Sequence, residues 1–247
     1  MRSPWAEGWG EMMGAPGTPP ASPFPGLTPP PRCTRPPGQQ DFQKAVKNML
    51  LAHGFSPSAR PTVVGHSYGC FMARWLVATP NPHVTVGGCV LTDPLVFLTV
   101  FPEISKNVVL DVPRTPYLLA KEMVAGTESI RGLIRKAVLR EPGIAKCFNR
   151  HSFWHNVIMW DDDFGAVVQN GTKVAVFLSR LDEFLPAPKT FEYLTKSPRV
   201  PRGDVLVKIC NGGHGDFMLS KTELENVGQL IDFVRGRKAG GGGGGGR

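Results

Sequence analysis

The chain has 247 residues, 41% of them hydrophobic and 19% charged, a balance that suits one globular domain with a sizeable core and excludes a charge-dominated, uncollapsed chain. No stretch approaches the about 20 consecutive apolar residues of a membrane helix, and the first residues lack the apolar segment and small-residue cleavage site of a secretory signal, so a cytoplasmic protein is expected. The net charge of +8 is spread along the chain, with its one dense group, Arg235-Gly236-Arg237-Lys238, near the end, and it points to no specific nucleic-acid partner.

Residues 1–40 hold close to half of the 24 prolines, with glycine, serine and threonine between them and no apolar periodicity. Such a leader cannot offset its ordering entropy by burial and is expected to be disordered. Asp41 then stands where a helix cap belongs; Phe42, Val46, Met49 and Leu50 fall on one face, and Gly54 ends the run. The β-branched Thr62, Val63 and Val64 predict a short buried strand, directly followed by Gly65-His66-Ser67-Tyr68-Gly69 and by an apolar, helix-capable run from Cys70 to Val77. A second buried strand is expected over Val84–Thr92, "VTVGGCVLT".

Residues 97–169 are too long for a single crossover helix. Helical patterns near 117–125 and 128–139 and the aromatic segment "HSFWHNVIMWDDDF" predict an inserted cap over a site, with Phe153, Trp154, Met159 and Trp160 as its apolar core or the lining of a pocket. "KVAVFL" and "VLVKIC" read as two more buried strands. Ser220-Lys221-Thr222-Glu223 has the spacing of a capping box, and Leu224, Val227, Ile231 and Val234 form the apolar stripe of a last helix. Residues 238–247 are a glycine-rich tail. The foldable domain is therefore 41–237, with strands and helices alternating. That order predicts an α/β fold whose mostly parallel sheet is flanked by helices, with ligands beyond the carboxyl ends of the strands.

Gly65 to Gly69 has the form G-x-S-x-G. On a sharp turn from strand to helix such a serine is held out into a cleft, its strained backbone accommodated by flanking glycines and its reacting atoms facing the helix N-terminus. A nucleophilic serine needs a base, and the base needs an acid that holds its tautomer. Asp182 follows "KVAVFL" in "SRLDEFLP", and His214 follows "VLVKIC" in "NGGHGDF", so serine, aspartate and histidine are expected on loops at one edge of the sheet. Glu183 beside Asp182, and Asp93 in "LTDPL", are alternative acids, although Asp93 also suits a turn with Pro94. His66 reads as packing. His151 and His155 are one helical turn apart, near Asp161, Asp162 and Asp163, but lack the glutamate of a metalloprotease motif; no metal site is assigned. The five scattered cysteines read as reduced thiols.

On "VVGHSYG", "SRLDEFLP" and "NGGHGDF", residues 41–237 resemble the α/β-hydrolase family. The resemblance implies Ser67 as nucleophile, Asp182 as acid, His214 as base, the Tyr68 backbone N–H as an oxyanion donor, and no cofactor. Its implied activity is that of a serine hydrolase on an ester or related acyl bond of a small, partly apolar substrate. The family's usual N-terminal strands and histidine-glycine oxyanion loop are not recognisable before the elbow, where His53-Gly54 reads as a helix end. That half of the sheet is expected to be absent, leaving the elbow strand at an edge. The alternative is a non-catalytic, hydrolase-like binding protein.

Overall fold

The computed structural model describes residues 38–78, 81–102 and 156–237. The leader up to residue 37, residues 103–155 of the expected cap and the tail 238–247 lie outside the described residues, as do His151, His155, Phe153 and Trp154. In chain order the elements are α1 (Gln39–Ala52), β1 (Thr62–His66), α2 (Gly69–Val77), β2 (Gly88–Thr92), α3 (Asp163–Gln169), β3 (Lys173–Ser179), α4 (Ala187–Lys196), β4 (Val205–Cys210), a 3-10 turn (Asp216–Leu219) and α5 (Lys221–Val234).

Among the described residues four strands form one sheet in the order β1-β2-β3-β4, and every neighbouring pair is parallel. The register aligns Val64 with Val90 and Val90 with Ala175, and successive residues of a strand face opposite sides. Cys89, Leu91, Val174, Val176 and Leu178 point into the larger core, together with Cys70, Phe71 and Ala73 of α2, Phe164 and Val167 of α3 and Leu194 of α4. Val90, Ala175 and Phe177 point the other way, onto Phe217 and onto Val227, Leu230 and Val234 of α5. Burial on both faces explains why β2 and β3 read as unbroken apolar runs rather than alternating ones.

Helix ends follow local chemistry. Gly54, at φ +77, ends α1 in a Schellman arrangement, with Gly54 N–H donating to Leu51 O at 3.0 Å and Phe55 N–H to Leu50 O at 3.0 Å. This is the helix-end role expected of His53-Gly54. The start of α1 differs from expectation: Gly38 is its N-cap, without a side-chain cap bond, and Asp41 sits in the first turn, where its charge favours the helix dipole. Ser220 caps α5, its hydroxyl accepting from Glu223 N–H at 3.3 Å.

Three further readings need correction. β2 begins at Gly88, not Val84, because the Asn81 side chain accepts from His83 and Val84 N–H at 3.0 and 3.1 Å and holds that segment in a turn. A side chain on Gly87 would also approach the Arg60 carbonyl at 2.9 Å. The elbow strand β1 is not fully buried: Val64 is 51% exposed, because β1 is the end strand of the described sheet and the α5 core stops at Val90. Leu224 is exposed, whereas Leu230, outside the expected stripe, is fully buried.

The described ends of the 97–169 segment join the core of the body. Phe97 stacks on Phe164 with ring centres 6.0 Å apart, and Met159, fully buried, donates its N–H to Val96 O at 2.9 Å. Trp160 is 43% exposed.

The orientation of α5 gives a direct test. Leu230→Ala should lower unfolding free energy by about 2–5 kcal/mol in urea melts, whereas Leu224→Ala should change it by no more than about 0.5 kcal/mol. The reverse order would place the wrong face of α5 on the sheet.

Candidate active site

The site is built where β1 turns into α2. Ser67 takes φ 54, in the left-handed region that a non-glycine residue occupies only at a cost. Two bonds from the end of β2 hold it there: Ser67 N–H donates to Thr92 O at 3.0 Å, and the Thr92 hydroxyl donates to Gly65 O at 3.1 Å. The two motif glycines have different roles. A side chain on Gly65 would lie 3.0 Å from Gly69 O and 3.1 Å from Cys70 Cα, so the strand and helix could not approach as they do; a side chain on Gly69 would meet open space. Only the first glycine is sterically required for the elbow, which corrects the equal roles expected of the pair. Tyr68 immediately precedes α2 as its N-cap residue.

Ser67, His214 and Asp182 come together. His214 Nε2 is 2.8 Å from Ser67 Oγ, and His214 Nδ1 is 2.7 Å from Asp182 Oδ2. The Asp182 side chain is fully buried and that of His214 is 11% exposed. The remaining Asp182 oxygen, Oδ1, accepts N–H bonds from Phe184 at 2.8 Å and Leu185 at 3.0 Å. These bonds fix the carboxylate in its own turn and compensate its burial. Phe184 sets its ring edge-on to His214 with centres 4.9 Å apart. Gly215, at φ +76, and a bond from Gly213 N–H to Asp216 Oδ2 at 2.9 Å shape the histidine turn.

The alternative acids occupy other positions. Glu183 Oε2 accepts from the His214 backbone N–H at 3.3 Å, a contact that its place in sequence gave no way to foresee. Asp93 is fully buried and accepts from two backbone N–H groups, those of Ser179 and Gly215. The sequence marks it only as an acid before proline at a strand end. His66 packs between His214 and Phe217, with ring centres 5.1 and 5.4 Å away. Its Nε2 is buried without a hydrogen-bond partner among the described residues and lies 3.9 Å from Asp93 Oδ2. Asp161 is bound to Tyr193 and Ser197 and Asp162 to Arg199, so these two acids tie the turn before α3 to α4 and the loop after it.

The two neighbouring histidines titrate in opposite directions. Burial, then the charge of His214, pushes the His66 pKa down to about 4, so His66 is neutral at pH 7 and forms no ion pair with Asp93. Burial also pulls His214 down, but the hydrogen bond and charge of Asp182, with the charges of Asp93 and Glu183, outweigh it and leave its pKa raised.

Ring-proton NMR should therefore show His214 titrating above the ordinary value of 6.5 and His66 near 4. In linkage terms His66 costs stability as pH falls from its unfolded value towards about 4, because only the unfolded chain takes up that proton. The raised His214 contributes stability that is complete below its unfolded value and is lost as pH rises through its folded value. Asp182→Asn should lower the His214 midpoint; an unchanged midpoint would contradict the assigned contact.

No protein-family model matches the sequence, and no curated protein matches it. Solved structures do. A bacterial membrane phospholipase A aligns with a TM-score of 0.50 at 16% identity, over 78% of this chain and 62% of its own. An esterase from Pyrococcus furiosus aligns at 0.48 and 14% identity, over 78% and 60%. The α/β hydrolase GrgF from Penicillium sp. sh18 aligns at 0.43 and 15% identity, over 81% and 72%. At these identities the likeness is one of fold. No helix among the described residues is long and apolar enough to cross a membrane. A parallel sheet covered by helices on both faces, together with the alignment to the phospholipase A at a TM-score of 0.50, gives the chain an α/β-hydrolase-like fold.

Proposed function

We propose that the chain is a serine hydrolase that cleaves an ester or related acyl bond of a small, partly apolar substrate. The observation that carries this reading is the pair of short contacts on one imidazole, 2.8 Å to Ser67 Oγ and 2.7 Å to Asp182 Oδ2. Each nitrogen has a distinct task. With Nδ1–H donating to Asp182, Nε2 presents its lone pair to the Ser67 hydroxyl and can take its proton as Oγ attacks the carbonyl carbon. Asp182 stabilises the imidazolium that results. The developing oxyanion is directed to the Tyr68 backbone N–H, in the first turn leading into α2, where the helix dipole favours negative charge. Collapse of the tetrahedral intermediate breaks the bond to the leaving group, which takes the proton from His214. Water, deprotonated by the same nitrogen, then releases the acyl group and restores Ser67.

The loops around these residues support an apolar portion in the substrate. Leu181, beside Asp182, is 67% exposed, and Met218 and Leu219, just after the histidine turn, are 50% and 73% exposed. Apolar side chains on both loops favour a substrate with an apolar portion. No cofactor has a step in this chemistry. Among the described residues the Tyr68 N–H is the one oxyanion donor assigned; if it acts alone, turnover is slow, since loss of one donor costs about 10²–10³ in rate.

Hydrolysis of a p-nitrophenyl acyl ester tests the reading. Ser67→Ala, His214→Ala and the double substitution should each lose nearly all turnover and by similar factors, because the residues act as a unit. Asp182→Asn should lower kcat by about 10⁴ by favouring the wrong tautomer. A wild-type rate retained by either single alanine variant would rule the mechanism out.

A further inference from the structure

Asp93 is the first residue after β2 and has no solvent exposure. Its backbone is held at φ 42, directly before Pro94, a position where helical conformations are disfavoured. Such strain persists only where surrounding bonds enforce it. Here the Asp93 N–H donates to Phe177 O at 2.9 Å. Its Oδ1 accepts from Ser179 N–H at 2.9 Å, and its Oδ2 accepts from Gly215 N–H at 2.8 Å.

Both donors lie next to the proposed chemistry. Ser179 is the last residue of β3, and its carbonyl accepts from Asp182 N–H at 3.0 Å; Gly215 follows His214. One buried carboxylate thus grips the acid turn at its base and the histidine turn one residue past the imidazole. One potential ligand atom from each of Asp93, Asp182 and His214 lies within 4.8 Å of the other two. No hydrogen bond joins Asp93 to either ring; the nearest ring contact is His66 Nε2 at 3.9 Å. The titratable groups that face it are His66 from β1, Cys70 from α2, Asp182 from the β3 loop, and Cys210 and His214 from β4 and its loop.

We infer that Asp93 is a positioning residue, whose carboxylate ties the Asp182 turn to the His214 turn and so fixes the imidazole between Ser67 and Asp182. Its kinetic consequence rests on the hydrolase reading; its structural consequence does not. The side chain must be aspartate for a chemical reason. Two N–H donors need two acceptor oxygens, and asparagine would turn an NH₂ group against one of them. Charge-assisted bonds to backbone N–H groups are also the stronger kind.

Asp93→Asn, checked for folding by circular dichroism, provides the test with two readouts. The first is ester hydrolysis, where kcat should fall at least tenfold with KM within twofold. The second is the downfield NMR resonance of the His214 Nδ1 proton, which should be sharp in the unmodified protein and broadened or moved upfield in the variant. A merely structural role would reduce the folded fraction but leave that resonance unchanged in the molecules that fold. The inference is overturned if either readout stays at its wild-type value in an active protein. If the unmodified protein shows no Ser67-dependent turnover, the hydrolase reading fails and the resonance alone decides the clamp. Should the variant not fold, the unmodified protein decides: apart from the shift that His214 imposes on its neighbour Gly215, the Ser179 and Gly215 amide protons should share one pH midpoint. The lack of any midpoint shared by the two amides would overturn the inference.

Discussion

An imidazole has two nitrogens, and the site depends on satisfying both from distant parts of the chain. His214 reaches Ser67, 147 residues earlier, at 2.8 Å and Asp182, 32 residues earlier, at 2.7 Å. Neither contact is local, so sheet topology must supply the precision. A parallel sheet does this economically in geometric terms, because every strand ends on the same edge and adjacent strands deliver their loops about 4.8 Å apart. The order β1-β2-β3-β4 sets the serine turn, the Asp93 turn, the acid turn and the histidine turn side by side.

Burial makes that edge electrically demanding. Asp182 and Asp93 are both removed from solvent, which disfavours two negative charges so close together. For Asp93 burial dominates and its carboxyl is pushed up, although the N–H bonds from Gly215 and Ser179 pull the other way. Asp182 is compensated by two N–H bonds from its own turn and by the imidazole. His66, held neutral at pH 7 by a pKa of about 4, adds packing without adding charge. The strained backbones at Ser67 and Asp93 lie at the ends of adjacent strands, where strand and loop bonds enforce them.

Much of this was legible in the sequence, for identifiable reasons. β-branched runs mark strands, and G-x-S-x-G after such a run marks a sharp strand-to-helix turn, so the sheet and the placing of Ser67, Asp182 and His214 at one of its edges followed from strand order, while the choice of Asp182 over Glu183 came from the family resemblance. What was missed depends on three-dimensional neighbours. Val84 belongs to no strand because Asn81 captures its N–H, a side-chain bond that apolar periodicity does not report. Val64 is exposed because β1 is the end strand of the described sheet, a property of strand order rather than of valine. Leu230 replaces Leu224 in the core because the packed face of α5 is set by the sheet beneath it. Asp93 read as a turn residue, and it is one, but its carboxylate points to amides 86 and 122 residues away; no local pattern encodes that.

The central claim is that the hydroxyl at the elbow is activated by the imidazole beside it. Reaction of the folded protein with a fluorophosphonate, followed by intact-mass and peptide mass spectrometry, tests this without knowledge of the substrate. The account predicts one adduct per chain, on Ser67, formed far more slowly in His214→Ala. An adduct on another residue, an equal rate in His214→Ala, or no adduct on a folded chain would contradict it.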